Sequence, residues 1–141
     1  MLVLLSLLIA SYLKLNVVGR TTVNNAEKWC VDIPFSVYLG WISVATIANI
    51  TDWLYFVNWD GFGIAPPRWA VLMIMVAALL GLIMALSRKD SGYLLVLVWS
   101  FAGIAVKQST EPNVKITAIT FAVTTFVLVL FSIFERWRVK I

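Results

Sequence analysis

Five apolar stretches, each 18 residues or longer and divided by short polar punctuation, leave this chain few ways to fold. They run from Met1 to Val18, Pro34 to Val57, Pro67 to Ser87, Ser91 to Gln108 and Ile116 to Phe134. At about 1.5 Å of rise per residue, each has the length of a helical bilayer crossing. In hydrocarbon every backbone amide must be satisfied inside its own segment, so the expected fold is all-α, a polytopic transmembrane bundle of about five helices. Composition agrees: 62% of residues are apolar, 13% are charged, and the mean hydropathy is +0.94. A water-soluble domain of 141 residues has no interior large enough for that much apolar surface. One domain spanning residues 1–141 is the natural count.

The first stretch starts at Met1 and has the length of a signal peptide as well as of a crossing. A signal sequence carries a positive leader and a small-residue cleavage site, and neither precedes the polar connection, so a true crossing is expected. In that connection Asn24 and Glu27 have capping-box spacing, which predicts a short helical lead-in over 25–33 that ends at Pro34. Arg88, Lys89 and Asp90 alone divide the third and fourth stretches, predicting a tight antiparallel hairpin.

Five crossings sort the basic residues onto two sides. Lys14, Arg20, Lys28, Arg88, Lys89, Arg136, Arg138 and Lys140 make eight on one side, and Arg68, Lys107 and Lys115 make three on the other. Positive charge accumulates on the cytoplasmic side, which places the C-terminus in the cytoplasm or its topological equivalent and the N-terminus outside. The net charge of +4 is explained by this asymmetry. Arg136, Arg138 and Lys140 suit anionic headgroups, and no nucleic-acid partner is expected.

Within the second stretch Ser43, Thr46, Asn49 and Asp52 recur at every third position. Polar groups facing hydrocarbon are costly, so this stripe is expected to face other helices or a ligand. Asp52 lies about 27 Å along the helix from Pro34, near a bilayer boundary. It suits either pairing with Arg68 or Lys107 or contact with a ligand or ion, whereas Asn49 is deeper and a better candidate for a specific bond. The Asn49-Ile50-Thr51 sequon falls inside the span and is accidental as a glycosylation signal.

Helix-contact signals are Ala77, Gly81 and Ala85 on the third stretch, and Trp99 with Gly103, edged by Ser100 and Lys107, on the fourth. Thr117, Thr120 and Thr124 on the fifth can each bond the carbonyl one turn back without any partner. Trp53, Tyr55, Trp59, Phe62 and Trp69 are expected to gather at one interface, as an aromatic belt or as a lid over an apolar pocket. Ser43, Thr46, Asn49, Asp52, Trp53 and Trp99 form the candidate ligand-binding set, with no catalytic or metal-ligating residues assigned.

No His is present, which excludes His-ligated haem and imidazole-dependent catalysis. Cys30 is alone beside Trp29 and Asp32 and is expected to be an interfacial residue rather than a nucleophile. Opposed acid and base partners for an intramembrane enzyme are not evident, so the protein is read as non-enzymatic.

Four runs carry a resemblance: Ala26-Glu-Lys-Trp29, Ile33-Pro-Phe-Ser through Ala-Asn-Ile50, Asn58-Trp-Asp-Gly-Phe-Gly63 and Val98-Trp-Ser through Lys-Gln108. Over roughly Ala26 to Gln108 the chain resembles the C-terminal part of the tryptophan-rich sensory proteins, relatives of the translocator proteins. That resemblance implies a five-helix bundle with the N-terminus outside, tetrapyrrole or sterol-like ligands, and dimers. The chain lacks the Trp-x-Pro-Pro motif of translocator proteins, so no ligand-contact residue transfers by position. Two functions stay open. One is binding of an apolar, tetrapyrrole- or lipid-like ligand for sensing or transport, as a homo-oligomer in the bilayer. The other is an accessory subunit of a larger respiratory or photosynthetic complex, where Asn49 and Gln108 are conceivable magnesium ligands of a chlorophyll.

Overall fold

The computed structural model describes residues 1–17, 24–108 and 110–138. Val18, Arg20 and Lys140, on which parts of the span and charge expectations rest, lie outside them. The described residues form an all-helical bundle: α1 (Leu2–Lys14), α2 (Ile33–Phe56), α3 (Pro66–Ser87), α4 (Ser91–Lys107) and α5 (Pro112–Arg138). Three of these spans, Lys28–Phe56, Pro66–Ser87 and Pro112–Glu135, are long and apolar enough to cross a membrane, and α1 and α4 are shorter apolar helices.

The lead-in does not end at Pro34. Asn25–Glu27 forms one α-turn, Lys28–Asp32 is π-helical, and the rod continues without a break into α2. A proline inside a helix lacks the amide that would bond one turn back, and the wider π-turn immediately before it accommodates the ring without ending the helix. Cys30 is exposed on that π-turn. At the other boundaries prolines occupy the first helical turn, where a missing amide is harmless: Pro66 and Pro67 open α3, and Pro112 opens α5 four residues earlier than hydropathy alone predicts. Asp90 caps α4, its side chain accepting the Tyr93 amide.

One end of the bundle gathers Tyr12, Ser36, the Arg88–Asp90 turn and Glu135, and the other gathers the 57–65 loop, Pro67 and Asn113. Thus α2 and α4 run one way and α3 and α5 return. The helix α4 is central, packing against α2, α3 and, most extensively, α5, while α1 leans on α2. A core cluster joins Leu8 and Tyr12 to Leu39, Ile42, Ile74, Ala77, Leu97 and Phe101.

Small residues set the crossings. A Cβ on Gly40 would lie 3.0 Å from Val96 Cβ, and one on Gly92 would lie 3.1 Å from Ser36 Cβ, so α2 and α4 meet almost backbone to backbone. On α3, Ala77, Gly81 and Ala85 are all buried, and a Cβ on Gly81 would meet Leu97 Cδ1 at 2.5 Å. The expected contact face on α4 is different. Trp99 is 71% exposed and Gly103 has open space beside it, so this pair points out of the bundle.

Candidate functional site

The stripe on α2 divides. Ser43 and Thr46 are buried, whereas Asn49 and Asp52 are exposed together with Trp53. The reason is angular: three residues turn a helix about 300°, so each step of the stripe falls about 60° short and Asp52 arrives about 180° away from Ser43. The expectation of one inward seam is corrected to a spiral that starts inside and ends on the surface. The face that stays inward is Ser36, Gly40 and Ser43, whose alternating four- and three-residue steps hold one direction. That spacing was available in the sequence and identifies the α2–α4 contact better than the three-residue stripe does.

Most polar groups along the spiral are satisfied by their own helix. Ser43 Oγ donates to Leu39 O at 2.8 Å, Thr46 Oγ1 to Ile42 O at 2.7 Å, and Asn49 Nδ2 to Ala45 O at 2.8 Å. Tyr93 on α4 also reaches the Ser43 side chain. Asn49 keeps its amide oxygen and a second N–H for something outside the bundle. Among the described residues neither Arg68 nor Lys107 forms an ion pair with Asp52. The α5 hydroxyls behave as their spacing predicts: Thr117, Thr120 and Thr124 donate to Asn113, Ile116 and Thr120 carbonyls at 2.7–2.9 Å.

The acid that matters most to packing is Asp90, which the sequence places only in a hairpin. It is 1% exposed, its Oδ2 accepts the Tyr12 hydroxyl at 2.7 Å, and its Oδ1 accepts the Tyr93 amide at 3.2 Å. Arg88 closes the same end, donating from Nη1 to Asn16 Oδ1 at 2.8 Å with its guanidinium carbon 5.8 Å from the Tyr12 ring centre. A buried carboxylate holding two donors ties α1, the α3–α4 turn and the first turn of α4 together. Helix periodicity offers no signal for Tyr12 as its partner, because the two lie 78 residues apart.

At the opposite end, Trp59 stands edge-on to Phe62 at 5.1 Å and tilted against Trp69 at 5.0 Å. The Trp69 indole donates to Gly61 O at 2.9 Å. Gly61 has φ +62°, and a Cβ there would lie 2.8 Å from Trp69 Nε1, so glycine is required both for the backbone and for the ring. Trp53 and Tyr55 stay exposed on α2 and do not join this ring cluster. A cleft of about 350 Å³ opens nearby between the first turns of α3 and α5, lined by Pro67, Arg68, Val71, Asn113, Ile116 and Thr117.

An all-helical bundle with spans of bilayer length and a largely apolar outer surface, whose in-span hydroxyls mostly bond back to their own helix, defines a polytopic integral membrane protein. Within that class the family is settled by the match of residues 1–131 to the family model described as TSPO-like protein: the chain belongs to this family. The match extends well beyond the 26–108 region over which the sequence runs carry the resemblance. No curated protein and no solved structure matches the chain.

Proposed function

We propose that this TSPO-like membrane protein binds an apolar, tetrapyrrole- or lipid-like ligand from the bilayer, for sensing or transport, along the outward half of α2. The observation that carries the reading is Asn49: an amide side chain on the exterior of a membrane-length helix, only partly satisfied by Ala45 O, one turn before Asp52 and Trp53. Facing lipid, those groups are costly; covered by a ligand with an apolar body and a few polar atoms, they supply orientation while Trp53 supplies contact area. Ser43 and Thr46 then serve as the buried root of the spiral. The eight-to-three distribution of basic residues supports a cytoplasmic C-terminus, which puts Asn49 and Asp52 in the outer half of the membrane. The test is a titration of protoporphyrin IX against the full chain in lipid nanodiscs, wild type beside Asn49→Leu. Saturable binding weakened about ten-fold by the substitution is expected, from loss of about 1.4 kcal/mol. Equal, unsaturable uptake by both proteins removes the reading.

The outward face of α4 supports a second reading, that of an accessory subunit. Trp99 and Gly103 present a large ring beside an open backbone, a combination suited to another helix. Native electrophoresis after mild detergent extraction separates the two. Migration within a larger assembly favours the subunit, and migration as monomer or dimer favours the ligand-binding protein.

A further inference from the structure

The cleft between α3 and α5 has the chemistry of a headgroup site. Its lining splits into a polar rim, Arg68, Asn113 and Thr117, and an apolar wall, Pro67, Val71 and Ile116. Arg68 is exposed, and no ion pair engages it among the described residues. Its backbone is fixed at the mouth of the cleft: Pro66 and Pro67 open α3, and the Arg68 amide bonds to Ala65 O at 2.9 Å. Because neither proline has an amide to offer, the guanidinium is the cationic donor on this side of the cleft. On the facing helix Asn113 adds an amide side chain, while the Thr117 hydroxyl donates to Asn113 O and keeps its lone pairs. Glu111 is exposed and is not among the residues that line the cleft.

We infer that this cleft binds the anionic headgroup of a membrane lipid, with Arg68 and Asn113 holding a phosphate oxygen and Val71 and Ile116 receiving the first carbons of the acyl chains. The location is independent of the α2 spiral, and the inference stands or falls apart from the ligand reading above. An arginine at a bilayer boundary attracts anionic lipid without any built site. What marks a site here is the combination of charge with an apolar wall in one half-open cleft of about 350 Å³, and the two are separable by experiment.

The full-length protein, purified in mild detergent with a mixture of phosphatidylglycerol and phosphatidylcholine, is examined by native mass spectrometry for retained lipid. Wild type is expected to retain phosphatidylglycerol preferentially. Arg68→Gln lowers that retention about ten-fold, as loss of a charge-assisted pair implies. Ile116→Trp fills the cleft from an exposed position on its apolar wall, leaves every charge in place, and lowers retention to the same degree. Lys107→Gln, which removes a basic residue outside the cleft, leaves retention unchanged. Helicity and melting midpoint are compared for each variant, so that a folding defect is seen directly. Retention by Ile116→Trp equal to wild type, or an equal loss in Lys107→Gln, overturns the site in favour of general surface attraction. Displacement of the lipid by millimolar inorganic phosphate overturns the assignment to a lipid.

Discussion

The Tyr12 hydroxyl donates a 2.7 Å hydrogen bond to Asp90 Oδ2 inside the bundle, joining the first helix to the turn that links the third and fourth. Both residues are almost wholly buried, so the bond is made where water does not compete for it. Its partners on the same carboxylate and the Arg88 contact above the Tyr12 ring make one end of the bundle a single polar knot.

Removing Asp90 should therefore be the most destabilising polar substitution at this end. Asp90→Ala deletes a helix cap and removes the acceptor at 2.7 Å from the Tyr12 hydroxyl, for a combined cost of about 3 kcal/mol. Tyr12→Phe loses the same bond but keeps the cap, costing about 1.5 kcal/mol. A double-mutant cycle read by unfolding in mixed micelles should give a coupling of about 1 kcal/mol or more. Strictly additive effects would contradict a direct bond.

Two glycines on neighbouring helices should behave oppositely. Gly81→Val forces branched methyls into the space of Leu97 and is expected to cost about 1–3 kcal/mol through overpacking. Gly103→Val faces open space and is expected to be neutral in the isolated protein. The melting midpoints of the two variants decide it, and a large loss in Gly103→Val within native membranes alone would locate a partner on α4.

Gly61→Ala should disturb the ring cluster more than Gly63→Ala. Both positions have positive φ, so both variants carry a backbone penalty of about 1 kcal/mol. Only the Gly61 variant also collides with Trp69, displacing the indole from Gly61 O. A red shift of tryptophan emission in Gly61→Ala, absent in Gly63→Ala, is the expected signature.

The Lys89–Glu135 ion pair, 2.8 Å long, ties the α3–α4 turn to the end of α5. Its side chains are 38% and 30% exposed, so solvent screens it. Glu135→Gln is expected to cost no more than about 0.5 kcal/mol, and molar salt should erase the difference. A larger loss that persists in salt would show that Glu135 acts through packing instead.

The spiral on α2 can be checked by labelling. Single cysteines introduced at Asn49 and Asp52, in a Cys30→Ser background, should react with a maleimide in detergent, and one at Ser43 should not. Equal reactivity at all three positions would mean that Ser43 does not face α4.

Much of the architecture was legible in single residues. Pro66, Pro112, Asp90 and the Arg88–Asp90 interruption mark helix starts and a turn through local chemistry, and the threonines of α5 bond backward because their partners lie one turn away on the same helix. Pro34 misled, since its missing amide reads as a terminus unless a π-turn precedes it. Asp52 is by sequence an acid inside a span, yet it lies on the surface, whereas Asp90, which looks like ordinary loop polarity until Tyr12 is brought against it, is buried.

Helix number, approximate length and membrane residence follow from the sequence alone, because partition into lipid and backbone satisfaction are sums over one segment at a time. Which face of α2 turns inward, why Trp99 and Gly103 point outward, and how a cleft forms beside Arg68 depend on how separate rods cross. That choice is made by close approach at Gly40, Gly81 and Gly92, through forces that reach only a few ångströms and act between residues far apart in the chain.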